Sequence, residues 1–212
     1  MERSTEKTHW TASDVGRLSH FVALTGMYIN GPDDKNQIIS WISGYEAGRG
    51  NRLGFGLNVK LLMRGKYKTP YSNDGWPGQI ERYARKNSMS WPVAFRRITI
   101  ELIGNLAPGD SARKKAAQML KSRIGSIIDR IHPSGNPWFN DSWIAEWKSL
   151  CLVENKWFRT LWSKQEWLAI KAIDTAVQQR KVFKPGTFLP RPELLKLKER
   201  YEAATVPPAS AP

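Results

Sequence analysis

One cysteine, three histidines and only nineteen acidic side chains in 212 residues are the shortages of this chain. With Cys151 alone, no intramolecular disulfide can form. Its setting beside Trp147, Leu150, Leu152 and Val153 suits a small buried hydrophobe better than a nucleophile. A reducing compartment, and with it a cytoplasmic location, is the matching expectation. His9, His20 and His132 are scattered, and no compact cluster of His, Asp and Glu accompanies them. No metal and no cofactor is therefore expected, and His20 beside Phe21 and His132 beside Pro133 suit packing or capping.

Long hydrophobic runs are also missing. The apolar stretches at 57–63 and 98–106 are interrupted by polar residues and fall short of the roughly 20 residues a spanning helix needs. The opening MERSTEKTHW is polar, so no secretory leader is expected. The glycine-containing stretch 48–56 lacks the Gly-Lys-Ser/Thr ending of a phosphate loop. Glu46 has no second carboxylate placed by local spacing for paired acid–base work. Gly26-Met27-Tyr28 followed by Trp41-Ile42-Ser43-Gly44 resembles the paired opening elements of GIY-YIG nucleases. Trp41 stands where the second tyrosine belongs, however, and the spacing is helical rather than hairpin-like. A non-enzymatic role is expected.

What the chain has in excess is positive charge and tryptophan. Thirty-three Lys and Arg leave a formal charge of +14, which favours encounter with nucleic acid, an acidic membrane surface or an acidic protein. Six of the ten tryptophans, at 138, 143, 147, 157, 162 and 167, fall within thirty residues. Trp143, Trp147 and Leu150 share one helical face by their three-and-four spacing, which favours a packed core. The other reading is an exposed face, since indoles stack on bases and anchor protein interfaces.

The hydrophobic period is helical throughout, and no sustained strand-like alternation occurs. Ser13 caps a first helix that starts after it, Asp33 or Asp34 cap a second, and 57–63 suits a short helix or a strand. Pro77 suits the first turn of a helix, Pro92 the start of the next, and Asp110 or Ser111 caps a long basic helix through Ile131. Ser163 and Glu166 have capping-box spacing. The expected fold is all-α, an irregular multi-helix bundle in one compact domain. Residues 1–12 form a flexible N-terminal segment, 13–204 the helical domain, and 205–212 a flexible tail. The turn His132-Pro133-Ser134-Gly135-Asn136-Pro137 separates candidate subdomains 13–131 and 138–204.

The leading functional reading is nucleic-acid binding, to DNA or RNA, by this chain alone or as an oligomer. Residues 79–99, QIERYARKNSMSWPVAFRRIT, resemble a helix-turn-helix, in which the second helix enters the major groove. Arg82, Arg85, Lys86, Arg96 and Arg97 would meet phosphates or a guanine edge, joined by Arg113, Lys114 and Lys115 from the basic helix. The interval 60–97 as a whole carries nine Lys and Arg against Asp74 and Glu81. The alternative is an inhibitor or adaptor that docks an acidic protein through Trp143, Trp147 and Trp157.

Overall fold

The structure is a computed structural model that describes residues 10–30, 34–70, 73–135, 140–150, 159–184, 187 and 189–205. Among the described residues it is all-α and irregular, with nine α-helices: α1 (Ala12–Ala23), α2 (Lys35–Gly48), α3 (Phe55–Gly65), α4 (Gly75–Lys86), α5 (Trp91–Leu106), α6 (Asp110–Asp129), α7 (Asn140–Leu150), α8 (Lys164–Gln178) and α9 (Pro192–Thr205). The only strand-type pairing among them is an isolated bridge between Phe183 and Pro190. None of these helices is long and apolar enough to cross a membrane. The chain packs as two compact units that divide between Met119 and Leu120, inside α6 rather than at the proline-rich turn.

The first unit is organised around α5, which packs against α1, α3 and α4. Pro92 sits in its first turn, where a missing N–H costs nothing. Trp91, Val93, Phe95, Ile98, Ile100, Leu102 and Ile103 are all buried. So are Arg96, Thr99 and Glu101, which leaves Asn105 as the single fully exposed residue of the helix. Aromatic rings fill the surrounding space. Phe21 stacks on Trp41 at 3.8 Å between centroids, and Trp91 stacks on Phe95 at 5.5 Å.

The entry to α1 differs from the sequence expectation. Thr11, not Ser13, is the N-cap, because Asp14 three residues on completes a capping box with it. Trp10, expected within a flexible segment, is 1 % exposed and donates its indole N–H to the Leu53 carbonyl at 2.8 Å. Asp34 caps α2 through bonds from the Asn36 and Gln37 amides. The chain leaves α2 through Gly50 and Asn51, both left-handed, and enters α3 from left-handed Gly54. Glu46 accepts the Phe55 amide at 3.0 Å, supplying the cap that glycine cannot. The 57–63 stretch is helical, and Tyr28 and Trp41 lie after a 3-10 turn and within α2, so no hairpin forms there.

In the second unit the core consists of Leu120, Ile124, Ile127 and Ile128 from α6, Trp143, Trp147 and Leu150 from α7, Trp167, Ile170, Ile173 and Val177 from α8, and Leu194 and Tyr201 from α9. The Ser163–Glu166 capping box is present at the start of α8. Burial raises the Glu166 carboxyl pKa, but hydrogen bonds from Lys121 and Ser163 outweigh that and leave it below the usual range. The last turn of α6 exposes orphan carbonyls, and side chains both near and far in sequence satisfy them. Arg130 Nε reaches Ser126, the Trp143 indole reaches Ile127, and Lys198 Nζ reaches Asp129.

Candidate functional site

Three cations of the first unit line a cavity built by α3, the segment after it, and α4. Lys60, Met63 and Arg64 lie on one face of α3 by their three-and-four spacing. With Lys68, Thr69, Pro70 and Gln79 they line an open cavity of about 620 Å³. No carboxylate is among these lining residues. The carboxylates nearest in sequence are engaged by other groups: Asp74 with Arg82, Glu81 with Lys35 at 2.9 Å, and Glu101 with Lys66 at 2.6 Å.

The wall between α3 and α4 is held from below. Glu101 of α5, 6 % exposed, takes the Lys66 ammonium and the Tyr67 hydroxyl and so ties the 66–67 segment to the buried helix. Burial, with the bond to Glu101, pushes the Tyr67 phenol far up, so it stays a donor at neutral pH. Thr69 N–H then returns to the Met63 carbonyl at 3.0 Å. Closing that turn places Lys68 in the left-handed region, φ 51°, a strained conformation for a residue that carries a Cβ.

Gln79 forms the α4 side of the cavity. It is 3 % exposed, and its side-chain oxygen has no hydrogen-bond partner among the described residues. An acceptor buried without a donor costs about 1–3 kcal/mol. Helix α4 is fixed on both sides of it. The Trp91 indole donates to the Pro77 carbonyl at 2.9 Å, and Asp74 folds back over Gly78 to hold Arg82. A Cβ at Gly78 would stand 2.1 Å from the Asp74 carboxylate, so only glycine leaves room for that lock.

The cations expected from sequence have different fates. Arg85 and Lys86 are exposed at the end of α4, and Lys114 and Lys115 are exposed on α6, with no ion pair for any of the four among the described residues. Arg82 is mostly enclosed and paired with Asp74. Arg113 is engaged by Asp110 at 3.0 Å and by the Gly104 carbonyl at 3.1 Å, where it closes the end of α5. Arg96 is 8 % exposed, and the Nε of Arg97 is shielded from solvent. The helix-turn-helix expectation needed α5 to offer a free face. Because α1, α3 and α4 cover it, a major groove has no access to it.

The tryptophan anchors meet a similar fate. Trp143 and Trp147 are 1 % and 0 % exposed, stack on each other at 5.6 Å, and donate their indole N–H groups to the Ile127 carbonyl and the Asp174 carboxylate. An indole enclosed on all sides knits helices together and offers a partner nothing. Trp157 and Cys151 lie outside the described residues. Sequence pattern does not single out Lys60, Arg64, Lys68 or Gln79. The signal that was available is the four-residue spacing of Lys60 and Arg64 within the acid-poor interval 60–97. No family profile, curated protein or solved structure matches the chain.

Proposed function

We propose that the chain is a non-enzymatic nucleic-acid-binding protein that holds the phosphate backbone on the cations of α3, the 66–70 segment and the end of α4. The observation that carries this reading is the cavity lined by Lys60, Arg64 and Lys68, with no carboxylate among its described lining residues. Closely spaced positive charges leave a field for a polyanion to fill. Arg85 and Lys86, and beyond them Lys114 and Lys115, would extend the phosphate contacts. Docking of an acidic protein through tryptophans is the weaker reading, since two of its three anchors are core residues.

Binding of labelled single strands and duplexes across a salt series tests the reading. Wild type should bind at low salt, with affinity falling as salt rises by a slope of about 0.7–0.9 per phosphate contact. Replacing Lys60, Arg64 and Lys68 together by Gln should shrink that slope by about 2 to 3 if each holds one phosphate. The same loss of charge at exposed Arg17, Arg52 and Lys171 should change it much less. Absence of binding by folded protein at low salt, or equal effects of the two triple variants, counts against the proposal.

A further inference from the structure

We infer that the α3–α4 cavity is a seat for an unpaired nucleobase, with the adjoining phosphate held by Lys60, Arg64 and Lys68; the inference rests on the nucleic-acid reading and narrows it to single-stranded chains. Three features of the cavity exceed what a phosphate needs. Its volume, about 620 Å³, lies within the range of roughly 300–1,000 Å³ typical of sites for small organic ligands. Its lining includes Pro70, an exposed apolar ring suited to the face of a planar base, with Met63, 1 % exposed, behind the wall. Its wall contains Gln79, a buried primary amide whose oxygen has no partner among the described residues.

The amide is the specific element. A phosphate is an acceptor only, so it cannot satisfy the Gln79 oxygen, which needs an N–H or O–H. The Watson–Crick edge of each nucleobase sets a donor beside an acceptor, the complement of a primary amide's own pair. That edge is free in a single strand and occupied in a duplex, and protein recognition of unpaired bases relies on it. Cations alone would hold either form of nucleic acid. Cations beside an apolar wall and a buried, unsatisfied amide oxygen favour the form whose bases are splayed out.

The seat is also preorganised. Gln79 stands on a helix locked by the Trp91–Pro77 bond before it and by the Asp74–Arg82 pair around it. Lys68 is held in a strained backbone conformation by the Glu101 anchor and the Thr69–Met63 bond. A ligand group reaching Gln79 meets a residue on a fixed helix, while the exposed Arg64 and Lys68 side chains become ordered as they take up the phosphate.

The test compares four probes against the full chain: a base-bearing single strand, an abasic strand of equal length and charge, a duplex, and a nucleoside monophosphate. Wild type should prefer the base-bearing strand over the abasic one by about ten- to a hundredfold, the worth of one bidentate base contact. Gln79→Met, which keeps the volume and removes the buried polar group, should erase that preference while its thermal midpoint stays at or above the wild-type value. Competition by the monophosphate would show that a free nucleotide enters the same seat. Equal affinity for base-bearing and abasic strands, or a preference that survives Gln79→Met, overturns the inference and leaves backbone binding standing. Saturable monophosphate binding lost in Gln79→Met, without binding of any strand, upholds the seat and removes the nucleic-acid reading. No binding of any probe removes both.

Discussion

Trp143→Ala should lower the unfolding free energy by about 3–5 kcal/mol, the usual cost of deleting a fully enclosed large aromatic side chain. The indole is 1 % exposed, lies parallel to Trp147, and meets the Phe183 ring edge-on at 5.8 Å. Its N–H satisfies the Ile127 carbonyl at 2.8 Å, one of the acceptors left over at the end of α6. Trp143→Phe separates the two contributions, since it keeps most of the ring and strands the carbonyl, at a cost of about 1–3 kcal/mol. Urea titration by near- and far-ultraviolet circular dichroism reads both numbers. A variant as stable as wild type would mean that the indole is not a core group, and would return the partner-anchor reading to contention.

Asp14→Asn is the second large effect, expected at about 2–3 kcal/mol near neutral pH because hydrogen bonds to a buried charge are lost or weakened together. Asp14 is 2 % exposed and accepts from the Thr11 amide, the Thr11 hydroxyl, the Tyr45 hydroxyl and the Arg49 guanidinium, at 2.9, 2.7, 2.8 and 3.1 Å. Burial acts to raise the carboxyl pKa, and these donors outweigh it, so the folded-state value lies below the ordinary one. Burial and the bond to Asp14 push the Tyr45 phenol up to about 12, so it remains a donor throughout the neutral range.

The sign of the pH dependence follows from that depression. The carboxylate's contribution is fully present above the unfolded pKa, about 4 for aspartate, and is lost as pH falls through the lower folded value. The stability gap between wild type and Asp14→Asn should therefore be constant from pH 7 to about pH 5 and shrink below pH 4. Chemical denaturation at several pH values checks this, and a gap that stays constant down to pH 3 would show that the charge of Asp14 is not what the network holds.

The helices of this protein are written in local pattern, and their exposures are not. Three-and-four spacing, Pro77, Pro92 and the Ser163–Glu166 pair mark where helices run and begin, because those signals depend on neighbours within one or two turns. Thr11 displaced Ser13 as the first cap for an equally local reason, the aspartate three residues beyond it. Which side of a helix meets solvent depends on elements far away in sequence. Helix α5 carries Arg96, Arg97, Thr99 and Glu101, a polar set that suits a free face, yet Glu101 is spent on Lys66 and Tyr67 and the helix is enclosed.

The candidate site was legible only as an acid-poor interval. Its assembly depends on the turn at Lys68 and on Glu101, thirty-odd residues along the chain, holding that turn in place. The tryptophan cluster was ambiguous for a related reason. Spacing placed Trp143 and Trp147 on one face, and the neighbours that cover the face, among them Asp174 and Phe183, come from later segments.

Residue-by-residue mapping of amide chemical shifts, with a short single strand titrated into the labelled protein at low salt, tests the location of binding most directly. The largest changes are expected in 60–70 and 75–86, with Lys60, Arg64, Lys68 and Gln79 among the first to move and the interior of α5 shifting little. Changes confined to 120–205, or spread evenly over every exposed lysine and arginine, would contradict a binding surface centred on the α3–α4 cavity.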